Sequence, residues 1–199
     1  MFPESIQNLI NQLSKLPDIG PRAATRLVFY LINQDQKNLD ELAHLIKSSK
    51  TEIHLCPQCF NLASKDNQLC SICRQPRRDQ QTICLVENIL NILPLEKTKQ
   101  YHGLYHVLGG LISPADGIDP EKLRIKQLIE RVKKNQPPVK EIVFALSPTT
   151  EGDTTALYIE HLLKPLKIKT SRLGRGLSTG SDLEYADENT LTNALLGRR

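Results

Sequence analysis

Tryptophan is absent from the 199 residues, and the other large aromatic residues are few, with four phenylalanines and five tyrosines. Few flat side chains are available to stack on nucleobases, so strong base stacking is not expected. No apolar run approaches the roughly 20 residues that cross a bilayer. The N-terminal stretch MFPESIQNLINQLSKL also lacks the basic start and apolar block of a signal peptide. These absences predict a cytoplasmic chain that has no membrane partner.

A strong excess of either charge is also lacking. The net charge is +4, and the basic residues are spread evenly along the chain. This balance permits nucleic-acid binding without arguing for it. Apolar residues make up 39% and charged residues 24%, which favours a folded core over disorder.

Apolar periodicity predicts helices in the first third of the chain and alternating strands and helices after residue 80. Three helices are predicted at 5–16, from Pro21 onward and at 39–49. A polar linker is predicted at 75–81. Strands are then predicted at 82–87, 103–109, 139–147 and 167–173. These strands are separated by a partly helical stretch, which Pro94 must break or kink, and by helices predicted at 121–135 and 153–166. A short helix is predicted at the end of the chain. This order predicts an α/β fold with a small all-α N-terminal region and a mostly parallel sheet with flanking helices.

Four of the five cysteines lie within CPQCFNLASKDNQLCSIC, as two C-x-x-C pairs ten residues apart. Reduced cytosolic thiols in this pattern indicate a metal site more than disulfides. Four thiolates complete a tetrahedral zinc shell and leave no position for water, so the site is predicted to be structural. Free thiols are the alternative. The predicted ligands of one Zn²⁺ per chain are Cys56, Cys59, Cys70 and Cys73, while Cys84 is predicted to be a small buried hydrophobe.

The stretch LPDIGPRAATRL is predicted to join two helices through a tight turn. Gly20 can take a positive φ there, and Pro21 can begin the second helix. The unpaired N–H groups and the dipole of that helix attract phosphate. Arg22 and Arg26 share one face beside this end and Lys15 precedes the turn, so these three residues are the candidate DNA contacts. A plain helical hairpin with solvated arginines explains the same pattern.

Acidic side chains follow two of the predicted strands. Glu87 ends the first strand, and Glu151 and Asp153 follow the third. The carboxyl ends of parallel strands meet at one edge, where hard oxygen ligands could hold Mg²⁺. The N-cap of the helix predicted at 153–166 is expected to be Asp153 or Thr154. In the alternative interpretation of the acidic residues, Asp153 only caps that helix and Glu151 is solvated.

These segments resemble known families. LPDIGPRAATRL resembles a helix-hairpin-helix motif, although Asp18 stands where the motif usually has glycine and weakens a direct hairpin–phosphate contact. The acidic set resembles that of a Toprim domain. Taken in order with YHVLGGLISPADGI, TTEGDTTALYI and DLEYADE, the whole chain resembles the RecR family of bacterial recombination mediators.

The resemblance implies four parts: a helix-hairpin-helix domain at 1–53, a four-cysteine zinc finger at 54–78, a Toprim domain at 79–175 and a C-terminal tail at 176–199. It also implies a DNA-repair protein at the nucleoid that is not an enzyme. Such a protein forms a ring, typically a tetramer, and acts with RecO, and with RecF in many bacteria, to load RecA on single-stranded DNA. The acidic edge would then meet RecO. The competing hypothesis is a Mg²⁺-dependent nuclease or strand-transferring enzyme that uses the same carboxylates.

Overall fold

The N-terminal part of the chain is helical. A computed structural model describes residues 2–198 and divides the chain into a unit that ends at Ile53 and one that begins at His54. The first unit contains α1 (Glu4–Leu13), α2 (Pro21–Ile32) and α3 (Gln36–Ser48). Its small core consists of the buried residues Ile10, Ala24 and Val28, around which Ile6, Leu13 and Ile19 pack. Helix α3 buries none of its residues.

Two short strands, β1 (Ile53–Leu55) and β2 (Leu62–Ser64), pair within the cysteine-rich part of the chain. The four cysteines and Ala63 form a small cluster there, and the partly buried Leu69 and Ile72 pack around it. A segment with so few apolar side chains has little hydrophobic stabilisation of its own.

The second unit is built on a four-stranded parallel sheet. Its strands are β3 (Asp79–Val86), β4 (Gly103–Val107), β5 (Glu141–Ala145) and β6 (Lys169–Arg172), in the order β4-β3-β5-β6. Cys84 lies opposite Tyr105 on one side and Val143 on the other. The order places β4 and β6 at the two edges of the sheet.

Apolar side chains from alternate positions of the strands build a core on each face of the sheet. On one face Ile83, Leu85, Ile142 and Phe144 meet the buried faces of α5 (Ile125–Lys134) and α6 (Thr150–Leu163). On the other face Cys84, Val86, Tyr105 and Val107 meet α4 (Ile92–Lys97), together with Phe60 and Ile72 of the cysteine segment. The parallel sheet with helices on both faces confirms the predicted fold class, and Cys84 is buried as expected.

Several boundaries differ from the predictions. Helix α6 begins at Thr150, and its N-cap is Thr149, whose hydroxyl accepts from the Gly152 N–H at 3.2 Å. The prediction of Asp153 or Thr154 as the cap is therefore wrong. Helix α5 begins four residues late, because a 3-10 turn at Pro120–Lys122 precedes it and Leu123 is extended.

Residues 75–81 are not a simple linker. Asp79 already belongs to β3, and the Arg78 guanidinium pairs with the Glu96 carboxylate on α4. Glu96 also accepts from the Tyr105 hydroxyl at 2.7 Å. Pro94 lies in the first turn of α4, where its missing N–H costs no helical hydrogen bond, and the helix continues through it to Lys97, so Pro94 does not break the helix.

The C-terminal part ends in α7 (Glu188–Leu196), whose N-cap Asp187 accepts from the Thr190 N–H at 2.9 Å. Within residues 2–198 no helix is long and apolar enough to span a membrane.

Candidate functional site

The two C-x-x-C pairs form similar turns. In the first, the N–H of Phe60 donates to the carbonyl oxygen of Cys56 at 2.8 Å, and Phe60 takes a left-handed φ of 62°. In the second, the N–H of Arg74 donates to the carbonyl oxygen of Cys70 at 3.0 Å. Each turn therefore brings the two sulfurs of its pair to the same side of the backbone.

The four predicted ligands, Cys56, Cys59, Cys70 and Cys73, come together in one cluster. Their sulfur atoms all lie within 4.8 Å of one another, and the Cys59 and Cys70 sulfurs are 3.5 Å apart. A tetrahedral zinc ion with Zn–S bonds of about 2.3 Å holds its sulfurs about 3.8 Å apart, so the cluster fits zinc in donor type and in spacing. Three of the cysteines are buried, and Cys73 is half-buried.

The proximity of the sulfurs perturbs their acidity. Hydrogen bonding to Cys70 raises the pKa of Cys59, and hydrogen bonding to Cys59 and Cys70 raises that of Cys73. A hydrogen bond from Cys59 is the main cause that lowers the pKa of Cys70. Protons are thus shared among sulfurs that would repel one another as thiolates, and a divalent cation can replace those protons.

The cysteine segment is attached to the outer edge of β4. The N–H of Val107 donates to the carbonyl oxygen of Cys59 at 2.9 Å. The Phe60 ring packs edge-on against His106 with 5.3 Å between ring centroids, and the Arg124 guanidinium lies 5.0 Å from the centre of the Phe60 ring. Sequence reasoning missed Phe60, His106 and Arg124, because their contacts join residues that are far apart in sequence and no local spacing reports them.

The predicted helical hairpin forms between α1 and α2. Gly20 has a φ of −76° and is the N-cap of α2, so the positive φ expected there is wrong. The left-handed residue is Asp18, with a φ of 62°. Asp18 occupies the position where the motif usually has glycine, and aspartate tolerates this conformation better than most residues.

The N-terminus of α2 has the features that bind anions. No side chain caps it, and Pro21 occupies its first position, so the Arg22 and Ala23 N–H groups have no partner within the helix. A Cβ atom at Gly20 would meet nothing within 4 Å, so this end is open. Arg22, Arg26 and Lys15 are exposed near it, and Lys15 donates to the Gln12 side chain at 3.2 Å.

The acidic residues occupy the carboxyl edge of the sheet in different environments. Glu87 accepts from the Ser147 hydroxyl at 3.0 Å, and Glu151 is exposed. Asp153 accepts from Arg172 Nη1 at 2.8 Å and from Arg175 Nη1 at 3.0 Å. Hydrogen bonding to Arg175 is the main cause that lowers the pKa of Asp153.

These carboxylates do not converge as metal ligands. In the part of the chain from Phe2 to Arg198, the four cysteines are the one group of three or more metal-binding side chains within ligand distance. Both oxygens of Asp153 are engaged by guanidinium groups. Sequence reasoning missed Arg172 and Arg175, which lie 19 and 22 residues beyond Asp153.

Comparisons with known proteins identify the class first. Residues 81–174 match the family model of the Toprim domain, which agrees with the parallel sheet and the acidic edge. Residues 6–49 match the model described as RecR, helix-hairpin-helix, and residues 176–199 match RecR, C-terminal. The chain is thus a Toprim protein with a helical hairpin before that domain and a short tail after it.

Full-length relatives then identify the family. The chain is 47% identical over 199 residues to recombination protein RecR of Gloeothece citriformis, with 100% of this chain and 98% of the relative covered. It is 45% identical to the protein of that name from Acidothermus cellulolyticus, with the same coverage. It is 44% identical to that of Deinococcus radiodurans, with 87% of the relative covered. The chain belongs to the RecR family.

Proposed function

We propose that this chain is a non-enzymatic, DNA-binding mediator of recombinational DNA repair. The observation that carries the proposal is the match to proteins named recombination protein RecR over the full length of the chain. In this role it acts with RecO, and with RecF where that protein is present, to help load RecA on single-stranded DNA. A role on DNA places it at the nucleoid in the cytoplasm.

The proposed DNA contacts are Lys15, Arg22 and Arg26. Their support is the open N-terminus of α2 and the exposure of all three side chains near it. Backbone N–H groups and cations bind phosphate without reading base identity. Binding should therefore be independent of sequence and sensitive to salt. The Asp18 carboxylate on the hairpin opposes phosphate and limits the affinity.

The proposed cofactor is one structural Zn²⁺ per chain, held by the four clustered cysteines. The spacing and burial of the sulfurs support it. With all four ligands from the protein, the ion would stabilise the cysteine segment and would take no part in catalysis. The resulting organisation has four parts: the helical domain at 1–53, the zinc finger at 54–78, the Toprim domain at 79–175 and the tail at 176–199.

The proposed assembly is a homo-oligomeric ring, typically a tetramer. Its support is the apolar surface of the helical unit, where large side chains that a monomer would be expected to bury are exposed. Leu45 and Ile46 on α3 are 57% and 66% exposed, and Tyr30 on α2 is 63% exposed. Exposed large apolar side chains favour association with another protein surface.

The acidic edge is proposed as a docking surface for RecO. The Glu151 carboxylate is exposed and would attract a basic surface of that partner. The ion pairs of Asp153 with Arg172 and Arg175 occupy the oxygens that Mg²⁺ would need, which supports a role in structure and docking over phosphoryl transfer.

The proposed function is tested with the pure full-length protein. Labelled DNA is incubated with the protein and Mg²⁺ or Mn²⁺, and RecA loading is measured on single strands coated with single-strand-binding protein, with and without RecO. We expect salt-sensitive DNA binding, faster RecA loading only with RecO, and no cleavage. Metal-dependent nicking by the protein would replace the mediator proposal with the nuclease hypothesis. Mass measurements in solution with and without these partners give the oligomeric state.

A further inference from the structure

Arg131, near the end of α5, has buried polar atoms without a partner. Three buried side-chain nitrogens in residues 2–198 lack a hydrogen bond, and two of them are Nε and Nη2 of Arg131. None of the ion pairs among these residues involves Arg131. A buried cation without an anionic partner is strongly destabilising. An anionic group close to the guanidinium group would therefore stabilise the buried Arg131 side chain.

The backbone contacts of Arg131 place it on the edge that holds the cysteine segment. Its Nη1 donates to the carbonyl oxygen of Tyr105 on β4 at 2.6 Å. Two residues along the same edge, the Val107 N–H donates to the carbonyl oxygen of Cys59. The guanidinium group and the first C-x-x-C turn thus bind neighbouring backbone groups of one edge strand.

Thiolates of the cysteine segment can supply the negative charge, because the first C-x-x-C turn and Arg131 bind the same edge strand. Burial lowers the pKa of Arg131, and a nearby anion would oppose that shift. Four thiolates around one divalent cation leave a net charge of about −2, and arginine N–H groups can donate to such sulfurs. A single guanidinium cation would offset half of that charge.

His106 supplies the third unpaired nitrogen, Nδ1. Its Nε2 lies 2.9 Å from the carbonyl oxygen of Arg124, which can only accept, so Nε2 carries the proton and Nδ1 is an acceptor. This one acceptor could satisfy at most one of the two Arg131 groups, and it carries no charge.

We propose that Arg131 is the counter-cation of the tetrathiolate metal centre. Through this residue, the affinity of the cysteine segment for metal depends on the packing of helix α5 against the edge strand β4. The proposal rests on the zinc site proposed above. It implies that loss of the metal leaves a buried cation uncompensated, so that the β4–α5 edge loosens together with the cysteine segment.

The test measures metal binding by the reduced, metal-free full-length protein. Zn²⁺ affinity is obtained by competition with a chromophoric chelator, and Co²⁺ reports on the sulfurs through its thiolate absorption bands. We expect Arg131→Met to weaken Zn²⁺ binding about tenfold to a hundredfold and to shift the Co²⁺ bands. Arg131→Lys keeps the charge, so its Zn²⁺ affinity should stay within about threefold of wild type, well below the loss of about tenfold to a hundredfold expected for Arg131→Met. The matched control is Lys133→Met, which removes an exposed charge from the same helix.

Each result decides the proposal. If Arg131→Met binds Zn²⁺ as tightly as wild type, the counter-cation role is wrong. If Arg131→Lys loses as much affinity as Arg131→Met, the side chain acts through its shape and its bond to Tyr105, and the proposal also fails. Should Arg131→Met not fold, Arg131→Gln carries the same expectation. A wild-type protein that binds no metal with its thiols reduced overturns both the zinc site and this inference.

Discussion

Thr155 is a buried threonine on α6 whose hydroxyl joins two parts of the α/β unit. It donates to the Glu151 carbonyl oxygen at 2.7 Å and accepts from the Ile112 N–H at 2.8 Å. The second bond holds the loop that follows β4 against the start of α6. A buried N–H depends on such an acceptor, because without one it loses its bond to water and gains nothing in return.

We therefore predict that Thr155→Val, which keeps the shape and removes the hydroxyl, lowers the free energy of unfolding by about 1–3 kcal/mol. The measurement is chemical denaturation of the two proteins under equal conditions. Thr154→Val is the matched control, since Thr154 is exposed and its hydroxyl only donates within the helix. Equal stability of Thr155→Val and wild type would show that the Ile112 N–H needs no acceptor.

At the scale of elements, the start of α6 depends on a close backbone approach. A Cβ atom at Gly152 would overlap the Ser147 carbonyl oxygen, which belongs to the segment after β5. Glycine at this position therefore allows the first turn of α6 to lie against that segment, beside the acidic edge.

Gly152→Ala should lower the free energy of unfolding by about 1–3 kcal/mol, because the helix start must move away from Ser147. Thermal unfolding of the full-length protein measures the change. The comparison variant is Gly174→Ala, where a Cβ would meet no atom within 4 Å, and its stability should change by less than about 0.5 kcal/mol. A Gly152→Ala protein as stable as Gly174→Ala would contradict the overlap.

The helical hairpin is the second element with a specific expectation. Arg22→Ala combined with Arg26→Ala should weaken binding to all DNA sequences alike and flatten the salt slope by up to about two phosphate contacts. Fluorescence anisotropy over a salt series measures both quantities. Lys37→Ala with Lys50→Ala removes two exposed cations elsewhere in the same unit and serves as the control. If the arginine variant is folded and binds with unchanged slope, the DNA surface lies elsewhere.

At the scale of the whole molecule, charge on the acidic edge should separate partner binding from DNA binding. We predict that Glu151→Lys weakens RecO binding about tenfold, while DNA binding by the isolated protein changes much less. Titration of each ligand against both proteins at equal salt measures this difference. Glu130→Lys, the same charge reversal at an exposed position of α5, is the control.

Retained RecO affinity in Glu151→Lys would remove the acidic edge from the docking surface. If that variant instead abolishes a metal-dependent cleavage activity of the wild type, the carboxylates act in catalysis and the enzyme hypothesis takes the place of the mediator.

Local patterns in the sequence were sufficient to predict the helices, the strands and the cysteine cluster. Helical spacing and strand runs depend on neighbouring residues, and paired cysteines in tight turns bring their sulfurs to one side of the chain. The helical hairpin, the parallel sheet and the grouping of Cys56, Cys59, Cys70 and Cys73 were therefore predictable. Element boundaries were less predictable, because caps and 3-10 turns depend on local geometry that periodicity does not report. Thr149, the N-cap of α6, and Leu123, which follows the 3-10 turn before α5, are the two examples.

Tertiary structure alone decided which distant residues meet. The pairing of Asp153 with Arg172 and Arg175 depends on where β6 and the following loop lie relative to α6. The approach of Arg131 to the edge of β4 likewise depends on how α5 packs on the sheet. Such contacts follow from the packing of whole elements, and no spacing along the chain encodes them. The sequence by itself thus determined the family motifs and the clustered cysteines, whereas the ion pairs of Asp153 and the contact of Arg131 with Tyr105 were decided only by the packing of the fold.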